Sequence, residues 1–295
     1  MIKIQDISLK IKYILKSNAF QKKPFTIIFR LSILVLALIT KKNISYKVFC
    51  NQSSFIYTFK NYLKSGLGGR GQFILRELYD PFFSYGSKLF NKKFSFIDVG
   101  CSRGFFSMYL LNLKNLKSTG ISIEPLKDAI TDFKEILKLN KNKSVKIING
   151  VISNRTKKKQ PFYRVNDDLG YYSLFKDVRF ADNKVPKKFY VQSYTIDQLI
   201  FKHKKLKKVD LIKIDSEGAE YEILTKSIKT INKFKPIIYC EITRKKNKII
   251  NFLKKNNYKL FILSDDKIYS FSTKYFTGDL LAIYYKSNLI NNLND

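Results

Sequence analysis

At 295 residues the chain can bury one full α/β core and still carry an added N-terminal element. Its net charge of +33 invites a nucleic-acid reading, yet the cations are mostly lysines scattered through helices and loops. Arginine, which reads bases and phosphates bidentately, is scarce.

The first pattern along the chain is an apolar stretch, residues 25–40 (FTIIFRLSILVLALIT), preceded by Lys22-Lys23-Pro24 and interrupted by Arg30. It falls short of the 18 or more uninterrupted apolar residues of a spanning helix. A basic start and apolar middle also resemble a signal peptide, but a small-residue cleavage site is lacking. The expectation is a helix packed on the main domain. A helix on the membrane surface comes second, giving peripheral contact through residues 25–40, and a signal or anchor third. Residues 46–91 are rich in aromatics and include a glycine cluster at 65–72 with no Lys-Ser/Thr after it, read as a lid leading into a helix at 73–79. Residues 1–90 are thus an N-terminal extension, 91–287 the main domain and 288–295 a polar tail.

Residues 94–108 (FSFIDVGCSRGFFSM) carry the densest signal. Phe94, Phe96, Ile97 and Val99 read as a buried strand, Gly100 and Gly104 flank a sharp turn, and Phe105 and Met108 begin a helix. A strand, a glycine turn and a helix build the nucleotide pocket of an open α/β sheet. The spacing Gly100-x-x-x-Gly104 has no third glycine, so it is not the pyrophosphate loop of dinucleotide folds. Asp98 beside the turn would repel a pyrophosphate and suits a cationic ligand such as S-adenosylmethionine. The next strand, 118–124, ends in Glu124-Pro125, about twenty residues beyond the loop, where an acid meets ribose hydroxyls. A third strand, 145–153, would end near the adenine, with Asn149 on it.

Residues 154–190 break the alternation, and in this type of fold such an insertion carries acceptor recognition. A further strand and turn follow at 190–200, with Asp197 capping a short helix. Residues 209–222 (VDLIKIDSEGAEYE) form a strand ending at Asp215, then a helix beginning near Glu217 and capped by Asp215 or Ser216. Glu217 and Glu220 favour that helix N-terminus electrostatically. Residues 236–242 (PIIYCEI) repeat the pattern, with Glu241 near the strand end. A helix at 248–255, a strand at 259–264 and a last, antiparallel strand at 280–285 complete a seven-stranded, mostly parallel sheet with helices on both faces.

These residues resemble the FkbM-like family of S-adenosylmethionine-dependent O-methyltransferases. Its D-x-G-A-N-x-G loop appears here as Asp98-Val99-Gly100-Cys101-Ser102-Arg103-Gly104. Its E-P pair is Glu124-Pro125, and its K-[IV]-D-x-E-G-x-E segment runs from Lys213 to Glu220. Glu241 supplies the acid of the following strand. The chain departs at Cys101, where alanine is usual, and Ser102, where asparagine is usual. The resemblance covers roughly residues 90–285 and implies a Rossmann-like class I methyltransferase fold. It also implies S-adenosylmethionine as cofactor, held by Asp98, Gly100, Cys101, Ser102, Gly104, Phe105, Glu124, Pro125 and Asn149. The implied acceptor is a hydroxyl of a sugar in a polysaccharide, glycolipid or related metabolite.

Methyl transfer from an activated donor requires alignment of the acceptor and, for an alcohol, removal of a proton. The one histidine, His203, lies in a lysine-rich stretch with no nucleophile elbow nearby. The base is therefore a carboxylate, Asp215 or Glu241 by strand-end logic, with Glu217 beside them. Alternatively these acids hold a divalent cation that orients the acceptor diol. Cys50, Cys101 and Cys240 are isolated thiols, which disfavours a disulfide framework or zinc site and fits the cytoplasm. Two other classes are weighed. Among nucleic-acid methyltransferases, those acting on base amino groups commonly carry an N/D-P-P-Y/F/W segment; it is absent here and an acidic cleft would repel phosphates, so no specific nucleic-acid partner is expected. A non-catalytic membrane-associated scaffold would not need the intact acidic and glycine positions.

Overall fold

The computed structural model describes residues 24–50, 52–59, 80–164, 172–176, 186–202, 206–264, 267–273, 276 and 278–293. The glycine cluster at 65–72, the expected helix at 73–79 and His203 lie outside the described residues. In chain order the elements are α1 (Pro24–Thr40), β1 (Ile44–Cys50), β2 (Ser53–Phe59), α2 (Phe82–Tyr85), β3 (Lys93–Val99) and α3 (Phe105–Leu111). Next come β4 (Lys117–Glu124), α4 (Lys127–Leu139), β5 (Val145–Asn149), β6 (Val151–Ile152), β7 (Lys157–Arg164), β8 (Tyr172–Ser173), β9 (Lys187–Tyr194) and α5 (Ile196–Lys202). The remainder is β10 (Leu211–Ile214), α6 (Glu220–Thr225), α7 (Ile228–Phe234), β11 (Ile237–Glu241), α8 (Lys246–Lys255), β12 (Tyr258–Leu263), β13 (Ile268–Ser270) and β14 (Asp279–Tyr284).

The main sheet has eight strands in the order β13-β12-β14-β11-β10-β3-β4-β5, one more than the sequence predicts. The extra strand, β13, pairs antiparallel with β12 at the edge. β10 pairs in parallel with both β3 and β11, and the last strand, β14, runs antiparallel between β11 and β12. The chain order first runs outward from β3 through β4 to β5, then returns to β10 on the other side. That reversal between β3 and β10 is the topological switch point at which open α/β sheets bind ligands.

Period-two alternation sends neighbouring residues of each central strand into two different cores. Phe96, Leu211, Tyr239 and Leu281 face α2, α3 and α4. Ile97, Val99, Ile212, Ile214 and Ile238 face α5, α6, α7 and α8. Because both faces are covered, β10 is buried at every position and reads as a continuous apolar run apart from Lys213.

Four local expectations need correction. The predicted strand 145–153 breaks at Gly150, and β6 leaves the main sheet to join β9. Gly150 has φ 156°, and a Cβ there would lie 2.5 Å from the Gln192 carbonyl oxygen, so this crossing requires glycine. The described residues of the predicted insertion contribute β7, β8 and the start of β9 to a second sheet, β6-β9-β7-β8, in which β7 and β9 form an antiparallel pair. Asp197 does not cap its own helix. Thr195 does, accepting from the Gln198 amide at 3.2 Å, while Asp197 accepts from the Thr230 amide (2.9 Å) at the start of α7. The described part of the predicted polar tail, Asn288–Leu293, coils as a 3₁₀ turn and buries Ile290.

The N-terminal elements share a core with the sheet. Ile27, Ile33 and Ala37 of α1 join the same apolar cluster as Phe96 and Tyr239, as the favoured sequence reading expects. The β1–β2 hairpin is tied to α3 and α4 by Ser53 Oγ donating to the Tyr109 carbonyl (2.9 Å) and by two bonds between the Asn140 side chain and the Ile56 backbone. Among the described residues, no helix is long and apolar enough to cross a membrane.

Candidate active site

The glycine turn sits at the carboxyl end of β3. Gly100 adopts φ 74°, and a Cβ there would fall 1.8 Å from the Asp215 carbonyl oxygen. The turns after β3 and β10 therefore touch, and only glycine allows it. Gly104 has φ 78° against the Phe133 ring, and the Gly100 and Cys101 amides both donate to the Ile123 carbonyl, stapling the turn to β4. Ser102 is left-handed at φ 49°.

The acids and amides predicted to bind a ligand are engaged within the protein. Asp98 is fully buried, accepts from Ser107 Oγ at 2.6 Å and faces Lys213 Nζ at 3.6 Å. Glu124 is also fully buried, with the Ser102 amide on Oε2 and the Leu126 amide on Oε1, both at 2.9 Å. It thus holds two successive loops in shape. Asn149 donates to the Glu124 and Pro125 carbonyls and locks the Glu-Pro turn from β5. Burial pushes the Cys101 thiol up, leaving it an inert small side chain, and Phe105 packs edge-on against Phe55 and Phe83.

Above the turn lies a small cleft. Ile123 and Pro125 form one wall, Val151, Ile152 and Phe162 another, and Gly100, Asp215 and Ser216 the floor nearest β10. Of the residues predicted to contact the donor or catalyse, Gly100, Pro125 and Asp215 line it; the others stand behind it or beside it. Leu174, just after β8, closes the cleft from the inserted layer.

A row of acids runs sideways from this cleft. Lys213 lies in register between Asp98 on β3 and Tyr239 on β11. It is 5% exposed, pairs with Asp215 at 3.1 Å, donates to the Gly100 carbonyl and sits over the Phe106 ring. One rung further out on the same face come Asp215, Glu241 and, directly opposite Glu241 across the β11–β14 ladder, Asp279. Like charges opposite one another are destabilising in a ladder. Burial first, then Asp80, Glu241 and Asp215, push the Asp279 carboxyl up to about 8. Glu217 is likewise pushed up to about 8, by burial and then by Asp215 and Glu241. At neutral pH these two carboxyls hold their protons. Asp80 in turn accepts from the Tyr239 hydroxyl at 2.7 Å.

The 213–220 segment also departs from its predicted form. Glu217 (φ 50°) and Gly218 (φ 112°) are both in the left-handed region, so α6 starts only at Glu220. No side chain caps it from Asp215 or Ser216. Instead Glu220, fully buried, folds back so that its Oε1 accepts from the Gly218 amide (2.7 Å) and from Ser216 Oγ (3.1 Å). Ser173 Oγ on β8 donates to the Glu217 carbonyl, tying the inserted layer to this loop. Among the described residues, no group of three or more His, Cys, Asp or Glu is arranged to hold a metal ion.

Sequence reasoning missed Asp80, Asp279 and the role of Lys213. Lys213 had a signal, a lone cation inside an apolar strand. Asp279 had none, since only the pairing of β11 with β14 brings it opposite Glu241.

Over residues 98–260, more than half of the chain, the sequence matches the family model described as the methyltransferase FkbM domain. No curated protein matches the chain. Similar solved structures include an FkbM methyltransferase from Methylobacillus flagellatus KT, at 14% identity and TM-score 0.44 over 75% of this chain. The chain spans 56% of that protein's length. TYW2 of M. jannaschii, solved in complex with AdoMet, is similar at 15% identity and TM-score 0.39, over 82% of this chain and 84% of that one. A putative methyltransferase of Streptococcus mutans, solved with SAH, is similar at 12% identity and TM-score 0.39, over 68% and 92%.

Proposed function

Since the chain belongs to the FkbM methyltransferase family and so uses S-adenosylmethionine as methyl donor, we propose that it methylates a hydroxyl oxygen. The acceptor in this reading is a sugar hydroxyl of a polysaccharide, glycolipid or related metabolite, and the compartment is the cytoplasm. The observation that carries it is the row Asp215, Glu241, Asp279 beginning at the floor of the cleft. The residues present fit the donor. The turn at Gly100 admits no Cβ, the cleft walls are apolar, and Asp215 lines its floor.

When bound, the donor supplies a methyl group on a positively charged sulfur, already activated for transfer. The chain's own residues must then orient the acceptor and take its proton. Asp215 is the proposed base, because it alone of the row lines the cleft while Lys213 keeps its carboxylate in place. Glu241 and Asp279 stand next in line to bind neighbouring acceptor hydroxyls, Asp279 as a protonated donor and Glu241 as an acceptor. Glu124 shapes the donor loop through the Ser102 amide, and reaching a ribose diol would mean exchanging that amide for a hydroxyl. The carboxylates of Asp215 and Glu241 repel phosphate, which weighs against a nucleic-acid acceptor.

Calorimetry of S-adenosylmethionine with wild type, Asp98→Ala and Glu124→Ala tests the donor half. Labelled-methyl transfer to a panel of glycans, with Asp215→Asn and Glu241→Gln, tests the acceptor half. Donor binding should survive both amide substitutions while turnover by Asp215→Asn falls roughly 10²- to 10⁴-fold. Unchanged turnover in both amide variants would overturn the base assignment.

A further inference from the structure

Helix α1 has its polarity inverted. A helix on the surface of a globular protein buries its apolar stripe and turns its charges to water. Here the helix carries one charged residue, Arg30, and that residue is 2% exposed, packed inward with Ile27, Ile33 and Ala37. The outward stripe is Phe25, Ile28, Phe29, Val35, Leu36 and Ile39, with Phe25 86% and Ile39 74% exposed. Burial of the opposite stripe against the sheet's core fixes which face looks out, so the exposure does not come from a loose helix.

The two hydroxyls on that outer side are satisfied within the helix. Ser32 Oγ donates to the Phe29 carbonyl and Thr40 Oγ1 to the Leu36 carbonyl, both at 2.7 Å. The face therefore presents neither a charge nor a side-chain donor in need of water. Lysines flank it in the sequence at both ends, Lys22-Lys23 before and Lys41-Lys42 after, and no acid lies in its first turn.

We propose that the outer face of α1 lies flat in the interface of an anionic lipid bilayer, with the flanking lysines on the headgroups. The 17-residue helix is too short to span, so it rests on the surface and holds the catalytic domain beside it. Charge selects lipid over a second copy of the chain. Two such faces laid together, in either direction, would bring lysine pairs against lysine pairs, whereas anionic headgroups neutralise them. The chain's charge of +33 adds long-range attraction to the same surface.

The chain contains no tryptophan, so Leu36→Trp places a single reporter on the face. Full-length protein is mixed with vesicles of phosphatidylcholine alone or with phosphatidylglycerol added, and both sedimentation and emission wavelength are read. Wild type should sediment with the anionic vesicles and release at high salt, and the tryptophan emission should move to shorter wavelength only when they are present. Ile28→Ser/Leu36→Ser should weaken sedimentation about tenfold or more while its thermal melt stays cooperative. Absence of sedimentation with anionic vesicles overturns the proposal. Short-wavelength emission before vesicles are added overturns it too. If the serine pair then converts a dimer to a monomer, the occupant is a second copy; if the protein is monomeric throughout, it is the chain's own residues 1–23.

Discussion

Replacing Asp279 by asparagine should make the protein more stable at alkaline pH and less dependent on pH. The Asp279 carboxyl goes from 3.8 to about 8 on folding, because burial and the carboxylates of Asp80, Glu241 and Asp215 disfavour its charge. Above pH 4 the unfolded chain has lost this proton while the folded one keeps it. Folding therefore binds a proton, and stability falls as pH rises through this window, levelling once the folded group also ionises near pH 8. At about 1.4 kcal/mol per pH unit, a four-unit window sets an upper bound of about 5–6 kcal/mol. Partial solvent access to the row brings the expected effect to about 2 kcal/mol. Asparagine keeps the shape and hydrogen-bonding capacity of the protonated acid and has nothing to ionise. Urea denaturation of wild type and Asp279→Asn at pH 5, 6, 7, 8 and 9 measures it. The two should be close at pH 5 and diverge steadily to pH 8, with the variant ahead. Parallel curves for the two proteins across the whole range would refute the reasoning, since the proton lost would then not be that of Asp279.

Gly100→Ala should abolish donor binding in calorimetry and lower stability by about 2 kcal/mol or more, since its Cβ would meet the Asp215 carbonyl at 1.8 Å in a left-handed backbone. Lys213→Met should cost roughly 3–5 kcal/mol by urea titration, because Asp98 is fully buried and would face no cation. The double variant Asp98→Asn/Lys213→Met should recover much of that loss, which a double-mutant cycle reads directly.

The amino-acid sequence by itself determined the strand–turn–helix at 94–111, the Glu124-Pro125 turn and the strand entering Asp215. Each is written in local terms: apolar runs of strand length, glycines where the backbone turns left-handed, acids just past strand ends. Those rules act over a few residues, so a linear reading captures them. What each acid faces was decided only by tertiary structure. Asp98 and Glu124 look from the sequence like open ligand contacts, yet Lys213 and Ser107 enclose the first and two loop amides hold the second. Asp279 joins the row because β14 returns antiparallel beside β11 in one particular register. The start of α6 moved from 217 to 220 because the Glu220 carboxylate, buried, takes the loop's own donors and folds it left-handed. In α1 the apolar run was legible, but that Arg30 turns inward and the bare apolar stripe turns out depends on which side meets the core. Hydrogen bonds and charges of this kind are satisfied across the sheet by residues far apart along the chain, and only their packing says which partner each one meets.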